Sequence, residues 1–322
     1  MANSIIAVVG GESLLGREVR DLFQKRKTTA QVKLISSVDR DEILTAKEEQ
    51  VGVMASLLAE ELVGASVILL AGGPASSEKT QDLVRGWEPA PVLIDLTGSL
   101  EDNPAARLIE SSAVRVIAHP ASIALALFLT RLQQLSAIRR AVVLICEPAS
   151  ERGQAGIDEL HRQTIGLLSF QKMPMEVYDA QVSFNVLPQY GEESAHSLAS
   201  IELRIERNLA SLLLAAGNVP MPSLRVVQAP VFHGYSFSVW VEFEERPEMP
   251  AMLKQLASKH IDVRARNEAA PANVGVAGQG GITVGSVTAD RNDSRAFWFW
   301  VVSDNLRVAA ESAVEVAIAT IG

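Results

Sequence analysis

Ser4-Ile5-Ile6-Ala7-Val8-Val9-Gly10-Gly11-Glu12-Ser13-Leu14-Leu15-Gly16-Arg17 decides the fold. Ile5 to Val9 is apolar without alternation and is stopped by two glycines, which reads as a short strand buried on both faces. The amphipathic stretch from Leu15 to Phe23 reads as a helix opened by the turn. A strand, a glycine-rich turn and a helix together form the setting of a dinucleotide site. Glycines let the backbone approach a pyrophosphate, and the first helical N–H groups face it. Gly10, Gly11, Ser13, Leu14, Leu15 and Gly16 are the candidate cofactor contacts. The glycine spacing is incomplete, because Ser13 stands where a middle glycine is common, and Glu12 sets a negative charge near the phosphates. The unit predicts a Rossmann-type fold, which survives loss of its ligand, so binding itself stays open.

Val32 to Ile35, Val67 to Leu70, Val92 to Ile94 and Val114 to Ile117 read as further apolar strands with helical segments between them. That alternation belongs to a parallel sheet covered on both faces. Gly72-Gly73 ends the third strand and joins the candidate cofactor contacts. Asp39, about twenty residues past the glycine turn, reads either as a ribose ligand favouring NAD or as a solvated loop acid. Arg40 beside it keeps NADP in play.

Beyond Pro120 an apolar helix runs to about Leu132, and the pattern then changes. Arg140 to Ile145, Val182 to Val186, Leu224 to Gln228, Ser236 to Phe243 and Phe297 to Val302 read as strands with alternating faces. Gly156 to Leu168 and Ser197 to Ala216 read as helices, Glu268 to Gly285 as a loop, and Asn305 to Ile321 as a last helix. This predicts an α+β domain whose sheet is polar or partner-covered on one side. The expected division is a dinucleotide-binding domain over residues 1–125, with helix 305–322 packing back on it, and a substrate and dimerisation domain over 126–304.

The chain has 322 residues, 48% hydrophobic, 21% charged and 5% aromatic. This is enough for two domains and excludes a disordered or collagen-like chain. One cysteine, Cys146, forms no internal disulfide and no thiolate zinc site, and the five histidines are scattered, so no metal is expected. A net charge of −9 argues against nucleic acid. No apolar run is long enough for a membrane span. The expectation is a soluble cytoplasmic protein.

The chain is similar along nearly its whole length to the aspartate-semialdehyde dehydrogenase family. The likeness is carried by the turn from Gly10 to Gly16, Leu70-Ala71-Gly72-Gly73 and Val116-Ile117-Ala118-His119-Pro120-Ala121-Ser122. It continues through Ser150 to Leu160, Ser183-Phe184-Asn185-Val186-Leu187-Pro188, Ala229 to Ser236 and Val301-Val302-Ser303-Asp304-Asn305-Leu306-Arg307. The resemblance implies a nucleotide domain joined to an α+β dimerisation domain, a homodimer, and NADPH-dependent reductive dephosphorylation of β-aspartyl phosphate. In that chemistry a cysteine thiolate forms the acyl-enzyme, a histidine is the acid/base, and basic residues hold phosphate and carboxylate.

Position by position the chain departs from that pattern. Ser122 stands at the cysteine, where a hydroxyl is a far weaker nucleophile than a thiolate, and it reads as a helix cap. Tyr235 stands at the histidine, with His233 two residues away as a candidate substitute. The basic positions map to Glu101, Glu202 and Gln228, and the active-site glutamine to Glu147, with His119 beside Ser122. A cleft lined by Glu101, Glu147 and Glu202 would repel an acyl phosphate, since one like-charge contact at 4 Å costs about 4 kcal/mol at an effective dielectric of about 20. The expectation is a divergent, Usg-like, catalytically degenerate homodimer, with NAD or NADP as cofactor and a small ligand in the cleft. The competing expectation is an active NAD(P)-dependent semialdehyde oxidoreductase with altered catalytic residues.

Overall fold

A computed structural model describes residues 4–26, 28–37, 54–108 and 112–322. The chain divides into two compact units, Met1–Ala118 with Ala309–Gly322, and His119–Val308.

In the first unit the strands are β1 (Ile5–Val9), β2 (Gln31–Ile35), β3 (Ala65–Leu70), β4 (Val92–Asp95), β5 (Ala106–Arg107) and β6 (Val114–Val116). They form one sheet in the order β2-β1-β3-β4-β6-β5, every pairing parallel. This is the Rossmann-type order, with the chain reversing direction across the sheet beside β1. Ile6 to Val9 and Val67 to Leu70 are fully buried, as an unbroken apolar run at the centre of a two-sided layer requires. Helix α1 (Leu14–Arg26) buries Gly16, Val19, Leu22 and Phe23 along one stripe and ends on Lys25-Arg26, cations at the negative end of the helix dipole. Two shorter helices, α2 (Ala59–Leu62) and α3 (Pro74–Leu83), stand before β3 and β4. Asp39 and Arg40 lie outside the described residues.

The second unit holds α4 (Pro120–Gln133), β7 (Ile138–Glu147), α5 (Gly153–Leu168), α6 (Leu198–Ala215), β8 (Ser223–Gln228), β9 (Tyr235–Phe243), α7 (Met249–Leu256), β10 (Ile261–Val263), α8 (Asn273–Val276), β11 (Ile282–Ala289) and β12 (Ala296–Ser303). Its sheet runs β10-β11-β12-β9-β7-β8 and is mixed: the two outer pairs are parallel and the inner pairings antiparallel. One face packs on helices through Phe128, Leu132, Ile205, Leu209, Phe237 and Phe299. The other leaves Val142 and Leu144 of β7 and Trp298 of β12 exposed at 48%, 41% and 43%, an apolar stripe on that face. The last helix, α9 (Asn305–Ile321), gives its first turn to this unit and the rest to the first. There Arg26 meets Glu315 at 3.2 Å and Arg115 donates to Thr320 at 2.9 Å.

Two expectations need correction. Val182 to Val186 is not a strand: the N–H groups of Val182 and Ser183 donate to the Gln163 side chain at 2.8 and 3.1 Å, and Phe184 takes φ +61°. Donors that a ladder would need are spent on a buried amide, and only Leu187 bridges to Gln228. Glu268 to Gly285 is not wholly loop, because it contains α8 and the start of β11, whose Ile282, Thr283 and Val284 are buried beside β12.

Candidate functional site

The glycine turn of the first unit is built on close approach. Gly10 has φ +84°, and a Cβ there would lie 2.3 Å from the backbone of Gly72. A Cβ on Gly16 would lie 2.0 Å from the Gly10 carbonyl oxygen, so α1 starts directly against the turn. Ser13 caps that helix: its hydroxyl accepts from the Gly16 N–H at 2.9 Å and donates to the Ala71 carbonyl at 2.8 Å. The N–H groups of Gly10 and Gly11 go to the Ile35 carbonyl. Leu14 and Leu15, at the first two helical positions, have N–H groups that α1 itself cannot satisfy. Gly73 opens α3, and a Cβ there would meet nothing within 4 Å. Glu12 turns its carboxylate to Ser37 just past β2, where Oε1 accepts from the Ser37 N–H at 2.9 Å. The residues present therefore fit a diphosphate: two amide donors at a helix N-terminus, and an acid drawn aside. Glu101 follows a turn at the end of β4 that is organised by Asp95, whose carboxylate accepts from Thr97, Gly98 and Leu100.

The second unit concentrates buried polar groups where β7 meets the start of α5. Glu147 ends β7 fully buried and accepts from the Arg152 guanidinium at 2.8 Å. The Tyr235 hydroxyl lies 3.4 Å from its other oxygen. Tyr190 Oη lies 3.3 Å from Glu147 and 2.7 Å from Gln228 Oε1, so its one proton goes to Gln228. Gln228 donates in turn to the carbonyls of Glu147 and Ala229 at 3.0 and 2.8 Å. The orientation of this amide follows from its partners, since nitrogen has carbonyls and oxygen has a hydroxyl.

Glu151 connects this group to His119. One oxygen accepts from Asn305 Nδ2 at 2.7 Å, and the other lies 3.6 Å from His119 Nε2. Burial, then the neighbouring Glu147, raise the Glu151 carboxyl to about 7, against the pull of Arg152, Asn305 and Arg204. Burial first, with Arg204 and Arg152, holds His119 well below the ordinary imidazole value. The pair is thus a carboxyl beside a neutral ring. Burial works against the Arg152 charge, but Glu147, Tyr190, Glu151 and Tyr235 more than offset it and raise its pKa. Tyr235 is held well above the ordinary phenol by burial first and by Glu151 and Glu147.

The candidate catalytic residues fall differently within this frame. His119, not Ser122, is the N-cap of α4: its Nδ1 accepts from the Ala121 N–H at 3.3 Å. Ser122 is the third residue of α4, fully buried, and its hydroxyl donates to the Ile205 carbonyl at 2.9 Å. With His119 N–H donating to Asn208 at 2.7 Å, it ties α4 to α6. His233 is partly exposed, whereas Tyr235 is fully buried and joins the cluster, its ring 6.0 Å from that of His119.

Residues 129–308 match the family model described as the semialdehyde dehydrogenase dimerisation domain. The chain belongs to the aspartate-semialdehyde dehydrogenase family. A USG-1 protein homolog from Pseudomonas aeruginosa is 32% identical over 231 residues, 68% of this chain and 68% of its own. An aspartate-semialdehyde dehydrogenase of Rickettsia conorii is 26% identical over 333 residues, covering 97% of this chain and 96% of its own. The solved structure of a probable aspartate-semialdehyde dehydrogenase from Pseudomonas aeruginosa superposes with a TM-score of 0.80 at 24% identity, over 98% of this chain and 97% of that one, which is a likeness of fold.

For a member of the aspartate-semialdehyde dehydrogenase family, the charge of this cluster differs from the acid-lined expectation. Glu202 does not face it: its carboxylate accepts from the Val226 N–H at 2.9 Å and meets Arg225 at 3.4 Å on β8. The charge that α6 directs at His119 and Glu151 is Arg204, one helical face round. Glu151, Arg152, Arg204, Tyr190 and Asn305 belong to the cluster without being singled out by the sequence. The signal available was Glu151-Arg152, opposite charges side by side just before a glycine that opens a helix. Among the described residues no three His, Cys, Asp or Glu side chains are placed to hold a metal, and no helix is long and apolar enough to cross a membrane.

Proposed function

We propose that the chain is a catalytically degenerate, cytoplasmic member of the aspartate-semialdehyde dehydrogenase family, which keeps the scaffold and does not carry out the family's acyl-phosphate chemistry. The observation that carries this reading is the state of Ser122. Covalent catalysis by serine needs a base to take its proton, and the Ser122 proton is committed to a backbone carbonyl inside the α4–α6 contact. Tyr235 supports the same reading, because a proton-transfer group working near neutrality needs a pKa near that pH, and burial drives this phenol the other way. The buried Glu147–Arg152 pair gives the chain's own guanidinium a carboxylate partner at the point where the resemblance puts the active-site glutamine.

The same reading makes the protein a homodimer through the open face of the second sheet. A stripe of exposed Val142, Leu144 and Trp298 inside a segment matching a dimerisation domain supports it. The glycine turn would hold NAD or NADP by the Leu14 and Leu15 N–H groups, and a bound nicotinamide would supply a hydride acceptor or donor. Mass spectrometry after incubation with aspartate semialdehyde and, in separate samples, NAD or NADP tests the proposal. No acyl adduct is expected on the peptides holding Ser122 or Cys146, and a stoichiometric adduct on either would overturn it.

A further inference from the structure

A carboxylate in a phosphate-binding turn needs an account, and its partners supply one. Glu12 Oε1 accepts from both the N–H and the hydroxyl of Ser37, which fixes the charge two residues past the end of β2. Its second oxygen is buried and has no hydrogen-bond partner among the described residues. The space is tight: a Cβ on Gly72 would lie 2.6 Å from Ser37 Cβ and 2.5 Å from Ser76 Oγ. The ends of β1, β2 and β3 thus converge on one acid that lacks one donor.

We propose that Glu12 selects the nucleotide: it makes the turn take a dinucleotide with an unphosphorylated adenosine ribose and reject the 2′-phosphorylated form. The inference rests on the reading above that the turn binds a dinucleotide. In folds of this kind an acid at the end of β2 accepts from the ribose 2′-hydroxyl. Glu12 brings such an acid there from the turn itself. A sugar hydroxyl brought against this acid would be a donor for its carboxylate, whereas a 2′-phosphate is a multiply charged acceptor. The Ser37 N–H that could have served a phosphate is already spent on Glu12. The fixed carboxylate also repels a second anion in a partly desolvated place.

Calorimetric titration of the full chain and of Glu12→Gln with NAD and with NADP tests this, with a melting curve for each protein. The wild type is expected to bind NAD at least tenfold more tightly than NADP. Glu12→Gln is expected to narrow that ratio at least fivefold, chiefly by tightening NADP. Equal or tighter NADP binding by the wild type overturns the selector role while leaving dinucleotide binding intact, as does a ratio that Glu12→Gln leaves unmoved. Binding of neither nucleotide by either protein overturns both readings. If Glu12→Gln does not fold, the wild-type ratio alone decides.

Discussion

Replacing Arg152 with methionine keeps most of the side-chain volume and removes the charge that faces Glu147. The structure leaves Glu147 little else. Its side chain is fully buried, the Tyr190 proton is directed to Gln228, and the Tyr235 hydroxyl is 3.4 Å away. Breaking a buried ion pair by deleting one partner costs about 3–5 kcal/mol, because the other charge stays buried without compensation. At about 2–4 °C per kcal/mol for a unit of this size, the melting temperature should fall by roughly 6–20 °C. Urea unfolding followed by tryptophan fluorescence suits the question, since Trp240, Trp298 and Trp300 lie in the second unit and only Trp87 in the first. Adding Glu147→Gln to Arg152→Met should restore most of the loss, giving a coupling energy of about 2 kcal/mol or more. A loss below about 1 kcal/mol for Arg152→Met, or additive effects in the pair, would refute the view that these two groups form one buried unit.

Two further outcomes follow from the same geometry. Glu151 has a folded-state pKa raised to about 7, so the stability of its neutral form is fully present below the ordinary carboxyl value of 4.5 and is lost as pH rises towards 7. Glu151→Gln, uncharged throughout, should gain on the wild type across that window by roughly 3 kcal/mol in denaturant titrations; a difference independent of pH would contradict the assignment. Leu144→Glu places a charge in the exposed stripe and should lower the sedimenting mass from dimer to monomer, with the melting temperature of the monomer unit nearly kept; an unchanged dimer would move the interface elsewhere.

The sequence made the first unit legible because its signals are local. An unbroken apolar run, two glycines and an amphipathic stretch occur in succession, and β1, the turn and α1 depend on little beyond themselves. Val182 to Val186 misled because its alternation was genuine, while what denies it a ladder is Gln163, a residue from a helix about twenty positions earlier. The cluster was half legible. Glu147, His119, Tyr235 and Gln228 were found through single-position correspondence with the family pattern, and all four are buried. Glu202 and Arg204 differ by two positions on one helix, and that offset turns a side chain to another face, which residue matching without coordinates does not register. Glu151 and Arg152 lie inside a matched block, Ser150 to Leu160, but their roles follow from buried contacts that a sequence does not display. The Glu12 charge was visible in sequence, but its destination was not, because Ser37 belongs to the next strand's end.

On the function proposed above, this scaffold has lost the family's reaction. The most direct test is steady-state turnover of purified protein with aspartate semialdehyde, phosphate and either NAD or NADP, followed by nicotinamide absorbance beside a genuine family dehydrogenase. No reduction above the no-enzyme control is expected for the wild type. Turnover at ordinary enzyme rates, abolished by Ser122→Ala, would contradict it.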